Sequence, residues 1–255
     1  MSPTSAKVLV EVDGPVRTVT LNRPEKRNAL DDEVLKGLVE AFPKEPGREE
    51  RVAVLRANGP AFCSGMDLNQ RKERLGKPSS IEDSLRAVEN YPLPVVAVVH
   101  GHAIAGGNEL ALHCDFVVAS SAANFGMSLA QIGLAPTWFL AKKLMEVAGP
   151  VAAREILLLG DPLSATRMHE LGIIARVTRP ESLDTEAQAI IDRLAANAPL
   201  SLKIMKETLV RQMAFREVTP YDDINERVAK VSGSADAREG VTARLERRPA
   251  VFKGE

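Results

Sequence analysis

Three short runs of apolar residues constrain the fold more than any other feature of the sequence. The runs are VAVLRA at 52–57, PVVAVVHG at 94–101 and DFVVAS at 115–120, and each is almost continuously apolar. Continuous apolar strands are typical of parallel sheets that are covered on both faces, whereas half-exposed strands alternate apolar and polar residues. Segments with helical patterns separate these runs. The sequence therefore predicts an α/β fold built on a parallel sheet.

The remaining segments predict a hairpin at the start of the chain and helices at its end. Residues 7–22 are rich in β-branched residues and are interrupted by Asp-Gly-Pro, which predicts a hairpin. A helix is expected over 32–42 with Asp31 as its N-cap, and from about residue 137 helices dominate. We expect a core at residues 1–198 and a helical C-terminal region at residues 199–255.

Charge and composition exclude several classes of function. The 255 residues have a formal net charge of -1, which argues against a basic nucleic-acid-binding protein. No apolar stretch approaches the roughly 20 residues of a membrane span, and the N-terminus resembles no signal peptide. The two cysteines make no disulfide framework, and no sequence motif suggests a metal site. We expect a cytoplasmic protein without nucleic-acid, membrane or metal partners.

Two loops that follow buried strands are the candidate site. One is AFCSGMDL after the strand at 52–57, and the other is HGHAIAGGNEL after the strand at 94–101. Loops at the carboxyl ends of parallel strands line ligand crevices. Gly106 and Gly107 either allow close packing of a helix on the sheet or expose backbone N–H groups to an anion. If the N–H of Met66 points to the same place, two donors form an oxyanion hole.

Glu109 is the candidate acid or base. It lies in the first turn of the predicted helix, where the helix dipole alone favours a carboxylate. Beside an oxyanion hole, the same carboxyl can transfer protons during catalysis. His113 is four residues further along and can pair with Glu109, although a position on the helix surface is the more common arrangement.

Four other residues have structural and functional interpretations. Cys114 is expected in the core, and nothing marks Cys63 as a nucleophile. His102 is a candidate to line a pocket. Trp138 either packs in the core, which we favour, or forms the wall of a bulky apolar pocket.

The chain resembles the enoyl-CoA hydratase/isomerase (crotonase) superfamily in six segments that follow in order along nearly its whole length. The segments are VTLNRPEKRNAL, AFCSGMDL, PVVAVVHGHAIAGGNELALHCDFVVAS, IGLAP, GDPLSATRMHELGIIARV and ERRPAVFKG. The resemblance implies a crotonase-like spiral of repeated ββα units with C-terminal helices that trimerise. It also implies a homotrimer or homohexamer and a CoA thioester as the substrate, with no separate cofactor.

The resemblance also implies roles for individual residues. The N–H groups of Met66 and Gly106 would stabilise a thioester enolate, and Glu109 would occupy the first of the family's two carboxylate positions. Lys26 and Arg27 would lie near the CoA phosphates, although charged loop residues are usually solvated. The other residues implied to contact CoA are Asn28, Ala29, Ala61, Cys63, Gly65, Phe252 and Lys253.

One departure from the family pattern affects the predicted reaction. Hydratases of the family have a second glutamate twenty positions after the first, where this chain has Leu129. The PGxGG-like segment that usually follows is PTWFLA, beginning at Pro136. The candidates to replace the missing glutamate are Asp67, His102 and Tyr221, and the sequence does not rank them.

The resulting prediction is an acyl-CoA enzyme of enoyl-CoA hydratase type that uses Glu109. An isomerase or a CoA-thioester hydrolase with one glutamate is an alternative. A CoA-binding protein with little catalysis is a second alternative, from a different functional class.

Overall fold

The computed structural model describes residues 6–76, 81–214, 220 and 222–255. Its fold is mixed α/β, with strands concentrated in the first half of the chain. The strands in this part of the chain are β1 (Val8–Asp13), β2 (Val16–Leu21), β3 (Val52–Ala57), β4 (Val95–Val99), β5 (Ala103–Ile104), β6 (Phe116–Ser120), β7 (Asn124–Gly126), β8 (Leu163–Ser164) and β9 (Arg176–Thr178).

Helices follow most of the strands and make up the C-terminal part of the chain. The α-helices are α1 (Asp32–Ala41), α2 (Leu68–Glu73), α3 (Ile81–Glu89), α4 (Gly106–Leu112), α5 (Trp138–Arg154), α6 (Ala165–Glu170), α7 (Leu183–Ala195), α8 (Pro199–Met213), α9 (Asp222–Ser232) and α10 (Ala235–Glu246). Helix α5 changes direction at Gly149, where φ is +66°, just before Pro150.

The main sheet confirms the predicted parallel arrangement. Within the described residues it contains six strands in the order β1-β2-β3-β4-β6-β9. The first pair is the predicted antiparallel hairpin, and every later pair is parallel. Asp31 caps α1 as expected, because its carboxylate accepts a hydrogen bond from the N–H of Val34 at 3.0 Å.

Helices cover both faces of this sheet, which explains why its central strands are continuously apolar. On one face, alternate valines of β3, β4 and β6 pack against Leu183, Ala187 and Ile191 of α7. On the other face, the intervening residues of the same strands join a larger core with α1, α3 and α4. Successive strand residues point to opposite faces, so both sets of side chains must be apolar.

A second sheet was missed by the sequence analysis. Strands β5, β7 and β8 form it, and they contain only two or three residues each. Helix α2 was also missed; the loop predicted after β3 ends at Leu68, which is the first residue of this helix. Segments this short contain too few residues to show a strand or helix period.

The C-terminal helices follow the core, as predicted, and α9 and α10 fold back onto it. Ala237 of α10 forms a small separate cluster with Ile132 and Leu134, and Leu68 of α2 packs against it. The boundary between 1–198 and 199–255 stays a prediction. No helix within the described ranges is both long and apolar enough to cross a membrane.

Candidate active site

A cavity of about 760 Å³ lies where the two predicted loops meet the C-terminal helices. Its wall is formed by the NRPEKRNA loop, the segment that leads into α2, the first turns of α3 and α4, and parts of α9 and α10. Residues of the wall that are relevant to function are Lys26, Arg27, Ala29, Met66, Asp67, Arg71, Glu82, Gly106, Glu109, Leu129, Thr137, Ser232 and Arg244.

Helix α4 begins in direct contact with the backbone of the loop after β3. A Cβ added at Gly107 would lie 2.3 Å from the carbonyl oxygen of Cys63, so no larger residue fits there. The residue before the helix, Ala105, has φ +49° and ψ -116°, a conformation that L-residues rarely adopt. Such strained backbone persists only where the surrounding structure holds it in place, and it is concentrated at functional sites.

The two predicted oxyanion donors are free at this junction. The N–H of Gly106 is in the first turn of α4 and has no partner within the helix. Neither this N–H nor that of Met66 donates to an acceptor among the described residues. The segments that contain them are in contact, because a Cβ on Gly65 would lie 3.3 Å from the nitrogen of Gly106. Both N–H groups belong to residues that line the cavity.

Glu109 is buried beside these donors. Its side chain is fully buried, it lines the cavity, and neither carboxyl oxygen has a hydrogen-bond partner in the described part of the chain. Burial raises the pKa of Glu109 to about 8, although the positive charge of Lys143 lowers it. The carboxyl is therefore mostly protonated at neutral pH, and it can act as a proton donor.

His113 is not on the helix surface, which corrects the sequence-based preference. It is 3 % exposed and its ring stacks on that of Phe139, with 5.1 Å between the centroids. Burial lowers the pKa of His113 to about 4, so the imidazole is neutral. Its Nδ1 donates to the backbone oxygen of Glu109 at 2.7 Å and lies 3.9 Å from Oε2 of the same residue. His113 therefore supports the helix turn below Glu109 without forming an ion pair.

The structure distinguishes among the groups that could replace the missing second glutamate. Leu129 lines the cavity, as the family pattern implies for that position. Asp67 also lines it, but its carboxylate is paired with Arg23 at 2.9 Å and accepts from the N–H of Asn69. His102 is exposed and is not part of the described cavity wall, and Tyr221 lies outside the described residues.

Glu82 is the carboxylate that the sequence analysis missed. It lies in the first turn of α3, lines the cavity, and accepts a hydrogen bond from the hydroxyl of Thr137. Thr137 precedes α5 at the N-cap position, but its hydroxyl makes no capping bond and is directed to Glu82 instead. The sequence signal was weak, because an acidic residue in a first helical turn is common.

The residues implied to contact CoA divide into two groups. Lys26, Arg27 and Ala29 line the cavity, and the backbone of Arg27 has a left-handed φ of +50°. Outside the cavity wall are Asn28, Ala61, Cys63, Gly65, Phe252 and Lys253. Contact of this second group with CoA stays a prediction.

Two of these residues, Asn28 and Lys253, make hydrogen bonds within the chain. The side chain of Asn28 is buried and donates to the carbonyl oxygens of Asn58 and Ala61 at 2.8 and 2.9 Å. The backbone N–H of Lys253 donates to the carboxylate of Asp236 at 2.7 Å, which fixes the C-terminal segment on α10.

Cys63, Cys114 and Trp138 are all outside the described cavity wall. Cys63 and Cys114 are both buried free thiols, and burial raises the pKa of Cys63 to about 12, which excludes a thiolate nucleophile at neutral pH. Trp138 is half-buried and outside the described cavity wall, and its packing in the core stays a prediction. Within the described residues, no cluster of three or more His, Cys, Asp or Glu side chains could hold a metal ion.

Comparisons with known proteins identify similar sequences and folds along the whole chain. Residues 11–255 match the family model described as enoyl-CoA hydratase/isomerase. A 1,2-epoxyphenylacetyl-CoA isomerase of Escherichia coli (strain K12) is 34% identical over 264 residues, with 97% of this chain and 98% of that protein covered. An enoyl-CoA hydratase of Mycobacterium tuberculosis is 32% identical, with 96% of each covered.

A solved structure extends the similarity to the fold. The crystal structure of a methylmalonyl CoA decarboxylase complexed with 2S-carboxypropyl CoA has a TM-score of 0.89 and 25% identity. It covers 99% of this chain and 100% of that one. The similar proteins are thus named for three different reactions of CoA thioesters.

The raised pKa of Glu109 predicts a pH-dependent cost to stability. The unfolded chain loses this proton near the ordinary glutamate pKa of about 4.5, whereas the folded chain keeps it up to about 8. The free energy of unfolding therefore falls as pH rises through this window, by up to about 1.4 kcal/mol per pH unit. Glu109→Gln has no carboxyl group to ionise at this position. Its free energy of unfolding relative to the wild type should therefore rise between about pH 4.5 and pH 8, and stay constant above pH 8.

Urea unfolding of both proteins across this pH range measures the effect. Glu49→Gln, at an exposed position, is the control and should show no such trend. A stability difference between Glu109→Gln and the wild type that stays constant with pH would contradict the raised pKa.

Proposed function

Because the chain belongs to the enoyl-CoA hydratase/isomerase family, we propose that it is an acyl-CoA enzyme of hydratase type that uses Glu109 as its acid. The observation that supports this most strongly is a fully buried carboxyl beside two backbone N–H groups, none of which has a hydrogen-bond partner among the described residues. A thioester oxygen placed between the N–H groups of Met66 and Gly106 would gain negative charge as an enolate forms. Donors fixed in advance stabilise such charge by several kcal/mol.

The proposed substrate is an α,β-unsaturated acyl-CoA thioester. Addition of water to it forms a bond from the water oxygen to the β-carbon, and the electron pair of the double bond moves toward the thioester oxygen. Protonated Glu109 then donates its proton to the α-carbon, which returns the enolate to a thioester. The pKa of about 8 for Glu109 supports this role, because efficient general acids titrate near the working pH.

The proton that leaves the attacking water needs an acceptor, and Glu82 is the carboxylate that we assign to it. Glu82 lines the same cavity as Glu109 and is oriented by the Thr137 hydroxyl. The sum of the two proton transfers is one water added per substrate. The starting state returns when Glu82 releases its proton to solvent and Glu109 takes one up.

Glu109→Gln tests the proposed function directly. Mass spectrometry of crotonyl-CoA and bulkier enoyl-CoA thioesters incubated in deuterated water should show the gain of one water with the wild type. The variant should lose at least about 10²-fold of this rate, because its amide cannot donate the proton, while it still binds the thioester.

Other products would identify the alternatives. Deuterium uptake without added water would indicate an isomerase, and release of free CoA would indicate a hydrolase. Tight binding without any reaction would indicate a CoA-binding protein, and equal rates for variant and wild type would exclude Glu109 from the mechanism.

Glu82→Gln separates the two carboxyl groups. This variant should lose hydration by about 10²-fold but still exchange the α-proton of butyryl-CoA with deuterium, because that exchange needs only Glu109 and the oxyanion hole. Glu109→Gln should lose both activities. Asp83→Asn, at the exposed neighbouring position in the same helical turn, is the matched control and should retain both. Full hydration by Glu82→Gln would show that another group accepts the proton.

We also propose that the chain assembles into a homotrimer or homohexamer. On the single chain, four apolar residues of α8 expose between 58% and 79% of their surface. These residues are Leu200, Ile204, Met205 and Leu209. Large exposed apolar patches of this kind are typical of association surfaces.

Sedimentation measures the assembly. The wild type should sediment at three or six times the monomer mass, and Ile204→Asp should shift it toward the monomer because a charge at an apolar contact is costly. Val39→Asp, at an exposed apolar position on α1, is the control and should leave the mass unchanged. A wild-type monomer at micromolar concentration would contradict the proposal.

A further inference from the structure

Arg71 places a positive charge in the wall of the cavity. It lies on α2, and its Nη2 donates to the hydroxyl of Ser232, the last residue of α9, at 2.8 Å. Its Nη1 is 3.5 Å from the carbonyl oxygen of Arg74. A guanidinium has five N–H donors, so these two contacts leave donors for a ligand.

No carboxylate of the described residues neutralises this charge. The arginines around it are paired, since Arg23 contacts Asp67 at 2.9 Å and Arg74 contacts Asp32 at 2.5 Å. Arg71 instead has two neutral oxygens as partners. Burial lowers the pKa of Arg71, and no carboxylate in the described part of the chain opposes this shift. A partly buried cation without a counter-ion is costly, and a bound anion would remove that cost.

Arg71 lines the same cavity as the two proposed oxyanion donors, Met66 and Gly106. It follows Met66 by five residues, on the short helix α2 that begins at Leu68. A second guanidinium, that of Arg244, lines the same wall, and its contact there is the neutral side chain of Gln131 at 3.5 Å. Lys26 and Arg27 lie on a different loop of the cavity, where the family resemblance places the CoA phosphates.

We propose that Arg71 binds a carboxylate at the far end of the acyl group, so that the substrate is a monothioester of CoA with a dicarboxylic acid. This inference rests on the proposed function, because it assumes a thioester held at Met66 and Gly106. The planar guanidinium can form two parallel hydrogen bonds to a carboxylate. Ser232, which is buried, fixes the orientation of the guanidinium.

Calorimetric titration with saturated, unreactive thioesters tests the proposal without requiring turnover. The wild type should bind glutaryl-CoA at least about tenfold more tightly than butyryl-CoA. It should show the same preference over 4-carbamoylbutyryl-CoA, in which a neutral amide replaces the carboxylate. Arg71→Gln should lose the preference while its affinity for butyryl-CoA stays within about threefold. Arg74→Gln, at the exposed position that ends the same helix, is the matched control and should keep the preference.

Each other outcome contradicts the proposal in a distinguishable way. An equal loss of affinity for all three thioesters and for free CoA in Arg71→Gln would assign Arg71 to a CoA phosphate. Equal affinity of the wild type for the carboxylate and the amide would leave Arg71 only as a link between α2 and α9. This ligand comparison needs no variant, so it remains decisive if Arg71→Gln fails to fold. Absence of binding of any CoA thioester would overturn the proposed function and this inference together.

Discussion

The contact between the start of α4 and the backbone after β3 determines the geometry of the whole site. Gly107 lies so close to the Cys63 carbonyl that a Cβ would be 2.3 Å from it. This contact holds the Gly106 and Met66 segments together while Ala105 adopts a strained backbone. The helix then buries Glu109 one turn later. A helix that began further from the loop would separate the two N–H donors and expose the carboxyl to water.

Two side chains of the cavity wall lack, among the described residues, a partner of the kind that usually offsets burial. Glu109 has no hydrogen-bond partner, and Arg71 has no acidic one, among the described residues. Burying such groups costs stability, which is why most buried polar groups in proteins are paired. Catalytic sites are the common exception, because groups held ready for a ligand must not be satisfied by their neighbours.

The sequence predicted those parts of the molecule that depend on residues close together in the chain. The buried strands, the hairpin and the Asp31 cap follow from local patterns, and the burial of both faces of the sheet follows from its continuous valines. The burial of His113 was missed because it depends on Phe139, which is 26 positions away and stacks on it. Glu82 was missed for the same kind of reason, since only the folded chain brings Thr137 to it.

The order in which the cavity wall is synthesised has a consequence for biogenesis. The wall extends from Lys26 near the start of the chain to Leu245 on α10, near its end. The strands of the main sheet and the helices α1, α3, α4 and α7 that cover it all precede α8 in the chain. Because chains are synthesised from the N-terminus, the cavity wall cannot be complete until α10 has been translated. A nascent or truncated chain that lacks α9 and α10 would therefore lack part of its cavity wall.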